Sequence, residues 1–378
     1  MSIPPGSTIG ILGGGQLGRM TAVAARELGY HLRVLDPDAS CASRFVVEEL
    51  ITAGFGDTLA AEWLAHKCDV VTLEIEKVAL ASLDAAAKHA PVRPGRGVLA
   101  VVQDRIVQKT WLAGRGFPTG PFAVARSEAE LVTALEELGD DCFVKAAHGG
   151  YDGRGQYETG QVADAPKAWA EVGGPAGVVV EKALPIDKEI SVLVARRPGG
   201  ELAVYRPALN HHEARILAWS VLPAPIEPAI EARALELGRA IALELGVEGL
   251  LVIEMFIVGG EVLVNELAPR PHNSFHTTMV GAATSQFEQH VRAICDLPLG
   301  STQIVRPAAI ANLLGDLWVG ERTPDFDRVL ALPGVRLHLY GKRVARPGRK
   351  MGHLSATADS AETAIELVQR ATALLERG

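Results

Sequence analysis

The chain has 378 residues, of which 48% are hydrophobic and 22% charged, ordinary usage for a globular protein and unlike a disordered, collagen-like or coiled-coil chain. Its formal charge is −8, so there is no basic excess to neutralise a phosphate backbone, and nucleic-acid binding is not expected. The four cysteines, Cys41, Cys68, Cys142 and Cys295, form no Cys-x-x-Cys pair, and no apolar run reaches a membrane span, so a cytoplasmic protein with reduced thiols, without zinc and off the membrane, is expected. The first residues carry no basic and apolar leader pattern, so no signal peptide is expected. Glycine, at 39 residues, is high and points to tight backbone loops.

In chain order, Thr8–Leu12 reads as a strand and Gly13-Gly14-Gly15 as a turn. A helix over 16–28 and a strand over 31–35 follow, which opens a parallel sheet. A strand over 70–75 carries Glu74 near its end, a helix covers 78–89, and 91–97 is a break. Ser127 and Glu130 form a capping-box pattern for a helix to Leu138. Strands are expected over 142–146, 178–181 and 189–195, and a helix over 228–245 stopped by Gly246. Two strands, 250–257 and 261–266, join at Gly259-Gly260 as a hairpin. Then come a helix over 285–295, a linker over 298–306, strands over 335–340 and 352–356, and a final amphipathic helix over 361–375. The implied class is α/β, with units 1–104, 105–297 (a smaller lobe of about 107–181 and a larger of about 182–297) and 298–378.

Three features bear chemistry. Gly13-x-Gly15-x-x-Gly18 fits a dinucleotide fingerprint with Asp36 beyond, in which a side-chain-free turn offers a helix N-terminus to an anion; alone it equally fits a turn packed closely on its strand. The loop 149–156, with Gly149, Gly150, Gly153 and Gly155, follows Lys145 at a strand end and suits a polyphosphate, although it lacks a Walker A sequence. Glu254 lies in the apolar run Leu250-Leu-Val-Ile-Glu254, and Glu266 closes the next strand. Their positions average to 260, so an odd-length loop centred on Gly260 would set them opposite each other. Adjacent carboxylates repel and resist burial unless a cation joins them, and oxygen donors alone favour Mg²⁺ or Mn²⁺. Directly after, Pro269 and Pro271 stiffen a segment from which Arg270, His272 and Asn273 project as a small-anion cradle.

Lys145, the loop 149–156, Glu181-Lys-Ala-Leu184 with Glu189, and the Glu254/Asn265/Glu266 set resemble the ATP-grasp fold, in which two α/β lobes clamp ATP. Within it, Gly13-Gly-Gly-Gln-Leu-Gly-Arg-Met20, Gly149-Gly-Tyr-Asp-Gly-Arg-Gly-Gln156, Asn265-Glu-Leu-Ala-Pro-Arg-Pro-His-Asn-Ser274 and Arg346-Pro-Gly-Arg-Lys-Met-Gly-His353 resemble the 5-(carboxyamino)imidazole ribonucleotide synthase family of purine biosynthesis. The resemblance covers nearly the whole chain and implies a three-domain ATP-grasp ligase, homodimeric and cytoplasmic. It would join bicarbonate to 5-aminoimidazole ribonucleotide through carboxyphosphate, giving ADP and phosphate. It implies Mg²⁺ (or Mn²⁺) at Glu254 and Glu266, and ATP phosphates at Lys145, Arg105 and the loop residues Gly150, Tyr151, Asp152, Gly153, Arg154, Gly155 and Gln156. Adenine would meet Glu181, Lys182, Ala183 and Leu184, and the ribose Glu189, with His212, Asn265 and Glu266 also near ATP. Bicarbonate would lie on Arg270, His272 and Asn273. The ribonucleotide would contact Gly15, Gln16, Leu17 and Glu74, be covered by Tyr151, Asp152 and Arg154, and have its phosphate on Lys342, Arg349 and Lys350.

The chain departs from the family pattern at Lys77, Leu209, Arg215 and Phe275, which leaves open how 207–219 turns and which of Glu74 and Glu76 faces the substrate amine. Other ATP-grasp ligases, biotin carboxylase-like or formate-dependent glycinamide ribonucleotide transformylase-like, would share the ATP and metal set. A dinucleotide-dependent oxidoreductase would explain Gly13–Gly18 but neither the second glycine loop nor the carboxylate pair, and a non-catalytic nucleotide-binding module would need neither carboxylate.

Overall fold

The computed structural model describes residues 2–139, 141–149, 155–319 and 324–376. Three sheets organise them. The first is parallel, in the order Glu49–Thr52, His31–Asp36, Thr8–Leu12, Val70–Leu73. Thr8–Leu12 is central, with Ile9 opposite both Leu32 and Val70, and four of its five residues are buried, as expected of a strand covered on both faces. The helix Gln16–Glu27 leaves directly from the glycine turn. A side chain at Gly18 would put its Cβ 2.4 Å from the Gly13 carbonyl oxygen, and Gly13 itself sits at φ +110°, so close packing of helix on strand requires glycine at both.

The sequence reading missed the edge strand Glu49–Thr52 and the helix Thr58–His66, which is capped by Asp57 accepting from the Ala60 N–H at 3.0 Å. Both are short and weakly patterned, and tertiary pairing with His31–Asp36 makes the strand. The strand expected over 70–75 ends at Leu73, because Glu74 turns back toward the glycine turn. The break expected over 91–97 gives way at its end to the helix Arg96–Val102.

The second sheet is antiparallel, in the order Phe122–Ala125, Val178–Lys182, Cys142–Ala146, Gln156–Thr159. The helix Glu128–Leu138 covers it, and Ser127 caps that helix by accepting from the Glu130 N–H at 3.2 Å. The Glu130 carboxylate reaches back to the Arg126 N–H at 2.7 Å, one residue before the expected capping-box partner.

The third sheet has nine strands and crosses from the middle of the chain to its end. Its main path runs Glu261–Ala268, Gly249–Val258, Lys188–Arg196, Ala208–Glu213, Ile216–Leu222, Ala308–Leu314, Lys350–Thr357, Val335–Leu339. Pairing of Trp219 with Ala311 and Leu222 with Ala308 joins its two halves without an edge. The helix Pro228–Leu245 ends at left-handed Gly246 and packs Leu237 and Ile241 on the sheet. The sequence reading left 207–219 open; it is a hairpin whose turn residues Ala214 and Arg215 both have positive φ, +46° and +68°. Leu209 is half-buried against the core below.

Gly18→Ala should therefore destabilise by about 1–3 kcal/mol through overpacking against fixed backbone. Gly97→Ala, in the helix Arg96–Val102 with nothing within 4 Å of the added carbon, should be neutral or stabilising by up to about 1 kcal/mol. Thermal unfolding of the two variants side by side checks the contrast.

Candidate active-site cleft

A cleft of about 960 Å³ opens where the three sheets meet. Gly15, Gln16, Leu17, Glu74 and Glu76 reach it from the first sheet's loops, and Arg105 and Gly149 from the small lobe's side. His212, Arg215, Glu254, Glu266, Arg270, His272 and Asn273 come from the large sheet and the turn after it. Lys342, Arg349 and Lys350 come from the C-terminal segment. Residues more than three hundred positions apart thus face one space, and Lys342 Nζ donates to Gln16 Oε1 at 2.6 Å across it.

The carboxylate pair stands as expected, but for a different reason. The hairpin turn is two residues, Gly259-Gly260, both at positive φ, joining Val258 to Glu261. That register alone would place Glu254 opposite Asn265. A bulge, with Asn265 as the extra residue, restores Glu254 opposite Glu266. Burial, with Glu266 facing it, pushes the Glu254 carboxyl up to about 7. Two opposed carboxylates are oxygen donors suited to a hard cation. Among the described residues, no group of three or more His, Cys, Asp or Glu is arranged to hold a metal.

The glycine turn also differs from the anion site first read there. Several of its amides are already taken: those of Gly15 and Gly18 donate to Glu74, the latter at 2.5 Å, and the Gly14 N–H donates to Asp36 at 2.7 Å. Burial raises the Glu74 carboxyl despite these bonds. What the turn offers the cleft is therefore Gln16, Leu17 and a clamped carboxylate, with the Gly14, Gly15 and Gly18 amides already engaged. Glu76 has a separate partner, Arg270 Nε at 2.7 Å. Arg270 also donates to the Pro271 carbonyl at 3.2 Å.

Beside Arg270, the Ser274 N–H donates to His272 Nδ1 at 3.4 Å, which makes Nδ1 an acceptor and puts the ring proton on Nε2, 3.4 Å from Glu254 Oε1. Burial, then Arg270 and Lys350, hold His272 well below the usual histidine range, so it stays neutral. Asn273 is only 6% exposed, and neither polar atom of its side chain has a partner among the described residues. A buried amide with nothing to bond is a ligand-binding feature.

Several expected nucleotide residues lie beside the cleft rather than on its lining. Lys145 pairs with Glu181 at 2.9 Å, and so does Lys109 at 3.5 Å. Burial raises Glu181, but the two lysines outweigh it and its carboxyl falls below the usual range. Lys109 was missed by the sequence reading; its signal was position, on the buried helix face with Ile106 and Leu112. The amides of Lys182 and Ala183 donate to the carbonyls of Pro121 and Asp141, so neither is directed at a ligand, and Ile186 donates to Leu184. Glu189 and His212 hold each other, at 2.7 Å; burial lowers His212 but Glu189 more than offsets it. Gln156 pairs with Lys145 across strands, the Gly155 carbonyl accepts from Ala146, and Asn265 is the bulge residue. Gly150, Tyr151, Asp152, Gly153 and Arg154 lie outside the described residues.

Comparison with known proteins gives the family of the chain. Residues 6–103 match the ribonucleotide synthetase preATP-grasp domain, 110–287 the ATP-grasp domain, and 308–367 the phosphoribosylaminoimidazole carboxylase C-terminal domain. The chain is 39% identical to an N5-carboxyaminoimidazole ribonucleotide synthase of Bacillus subtilis (strain 168) over 93% of this chain and 92% of that protein. A crystal structure of the ADP complex of an N5-carboxyaminoimidazole ribonucleotide synthetase is 39% identical, covers 100% of this chain and 98% of the other, and superposes with a TM-score of 0.93. An Aspergillus clavatus N5-carboxyaminoimidazole synthase in complex with ADP and 5-aminoimidazole ribonucleotide is 31% identical over 98% of this chain and 99% of that one, with a TM-score of 0.89.

The raised Glu254 pKa has a consequence for stability. Its folded value, about 7, lies above the ordinary 4.5, so the folded state binds the extra proton and the ligand-free protein loses stability as pH rises between them. Glu254→Gln should raise the melting temperature of the ligand-free protein at pH 8 by roughly 1–4 °C. Below about pH 4.5, where the carboxyl is protonated in both states, the difference should vanish. Melting curves across pH, without nucleotide or metal, check both halves.

Proposed function

The chain belongs to the family of N5-carboxyaminoimidazole ribonucleotide synthases, C–N bond-forming ligases of the ATP-grasp superfamily, and on that premise we propose how its cleft carboxylates 5-aminoimidazole ribonucleotide with bicarbonate at the expense of ATP. The observation that carries the reading is the convergence, in one cleft, of Glu254/Glu266, the unpartnered Asn273 amide, and the Gln16–Lys342 contact. These supply, respectively, a place for phosphoryl transfer, a place for a small oxyanion, and a place for an acceptor nucleotide between the first and last parts of the chain.

ATP enters between the small lobe and the large sheet. Lys145 and Lys109, held in reserve by Glu181, turn to its phosphates, and the loop 149–156 with Arg105 completes the phosphate site. Adenine lies along 181–184 and the ribose meets Glu189. Glu254 and Glu266 would hold Mg²⁺ or Mn²⁺, which supplies charge neutralisation for the transferring phosphoryl group.

Bicarbonate is a poor electrophile and must first be activated as carboxyphosphate. Arg270, fixed by Glu76, offers it a cation, Asn273 offers an amide, and neutral His272 offers its Nε2–H. None of the three is a strong base, which suits binding an oxyanion rather than removing a proton. Carboxyphosphate then releases CO₂ and phosphate within the closed cleft, away from water. The exocyclic amine of the ribonucleotide attacks that CO₂ to form the N-carboxylated product. Glu74, whose two oxygens are oriented by the Gly15 and Gly18 amides, accepts from the amine and aims it. Gln16 and Leu17 contact the acceptor, Tyr151, Asp152 and Arg154 cover it, and Lys342, Arg349 and Lys350 hold its phosphate. A division at 104/105 and 297/298, a homodimer and a cytoplasmic location belong to the same proposal; among the described residues no helix is long and apolar enough to cross a membrane.

ADP release that requires bicarbonate, with N-carboxylated ribonucleotide formed in equal amount, tests the activity directly. Glu254→Gln and Glu266→Gln should each abolish ADP formation while the protein still folds; normal turnover of either at saturating Mg²⁺ would remove the metal assignment. Lys342→Ala and Arg349→Ala should each raise the KM for the ribonucleotide by about one to two orders of magnitude, the worth of a charge-assisted phosphate contact. The KM for ATP should stay nearly constant. Weakened ATP binding instead would point to a different acceptor.

A further inference from the structure

One fully buried side chain outside the cleft holds the oxyanion segment by its backbone. Gln286 is the first residue of the helix Gln286–Ile294. Its Oε1 accepts from the His272 N–H at 2.8 Å, and its Nε2 donates to the His272 carbonyl at 2.8 Å. The same Nε2 donates to His276 Nδ1 at 2.9 Å. A backbone N–H can only donate and a carbonyl can only accept, so this pair fixes which end of the amide points where. That in turn makes His276 Nδ1 an acceptor.

The rest of the helix is tied to the acceptor side of the cleft. Phe287 packs with Leu17 and Met20 of the first helix and with Tyr340 near Lys342. One turn on, His290 Nε2 lies 2.9 Å from Thr72 Oγ1 in Val70–Leu73, the last strand in the order of the parallel sheet. Thus successive positions of one helix grip the oxyanion turn, the helix that carries Leu17, and the parallel sheet.

We propose that Gln286 is a positioning residue for carboxyl transfer: it clamps the His272 backbone so that His272 and Asn273 stand at a set place relative to the ribonucleotide side of the cleft. The inference rests on the carboxylation reading above. No other side chain among the described residues makes a hydrogen bond to both the N–H and the carbonyl of His272. Without the clamp, the turn between Pro271 and Ser274 keeps its proline but loses its register, and a small oxyanion, bound by only a few contacts, suffers most.

The test uses the full-length enzyme and begins with the wild type. Bicarbonate-dependent ADP release must be seen first; its absence would end the carboxylation reading and leave the clamp without a reaction to serve. Gln286→Met keeps the volume and removes all three hydrogen bonds. It should raise the KM for bicarbonate by about ten- to a hundredfold. The KM values for ATP and ribonucleotide should change by less than about twofold. ADP formation should exceed product formation, because carboxyphosphate is made out of place. An unchanged bicarbonate KM, with kcat falling only as the folded fraction falls, would overturn the proposal. Gln286→Glu gives an independent decision, including the case in which the methionine variant does not fold. Its carboxylate keeps the acceptor for the His272 N–H and can accept from His276 if that ring carries its proton on Nδ1, but it opposes the His272 carbonyl, to which only the protonated acid can donate. Its bicarbonate KM, expressed relative to wild type at each pH, should therefore improve as pH falls. A ratio that stays flat across pH would equally overturn the proposal.

Discussion

The catalytic half of this protein depends on one extra residue in a hairpin. The two-residue Gly259-Gly260 turn sets a register in which Glu254 would face Asn265, and the bulge at Asn265 shifts it so that Glu254 faces Glu266. That opposition is unfavourable in itself: burial and a facing carboxylate push Glu254 to about 7. The strands around the pair are largely apolar, and the buried Val252, Ile253, Met255 and Leu267 lock it in place. A core that could relax would separate the two groups, whereas this one holds a charged, cation-ready arrangement ahead of any ligand.

The same logic recurs around the cleft with opposite sign. Lys109, Lys145 and Arg270 have carboxylate partners while the site is free of ligand: Glu181, shared by the two lysines, and Glu76 for Arg270. A buried charge without a partner costs far more than a weak pair returns, so a site for anionic substrates must carry internal counter-ions. These pairs also orient the cations. Arg270, anchored through Nε, presents the other side of its guanidinium, and the Glu181 carboxylate keeps two ammonium groups together. The glycine turn too carries internal partners, Asp36 for the Gly14 amide and Glu74 for those of Gly15 and Gly18, which places a carboxylate beside the cleft.

The architecture brings these pieces within reach of each other. The nine-stranded sheet runs unbroken from the carboxylate hairpin to the strand that bears Lys350, so the Glu254/Glu266 pair and the basic C-terminal segment share one rigid frame. The parallel sheet is a separate element, joined to that frame by the helix Gln286–Ile294 and by the Lys342–Gln16 contact. Three substrates must meet at one point, and the geometry of that meeting is set by these few cross-connections.

Much of this was legible in the residues. Strong periodicity gave the helix Pro228–Leu245 and the last helix, apolar runs gave Thr8–Leu12 and Gly249–Val258, and glycine at 259 and 260 gave the hairpin. These are local properties: a side-chain period, a φ that only glycine readily accepts, a cap. Candidate site residues could be picked out too, because carboxylates in apolar strands and proline-stiffened polar turns are chemically conspicuous. What the sequence could not contain was partnership. It did not reveal the bulge at Asn265, since nothing local distinguishes that residue from its neighbours as an insertion. Nor did it reveal the edge strand Glu49–Thr52, which exists through pairing, Lys109 as a second partner of Glu181, Glu76 as the anchor of Arg270, or Gln286 as the clamp of His272. Composition and spacing determined which groups this protein has and which stretches are helix or strand. Only the tertiary structure decided which groups touch, because hydrogen bonds and ion pairs between residues far apart in the chain depend on where strands cross, and that is a property of the whole fold.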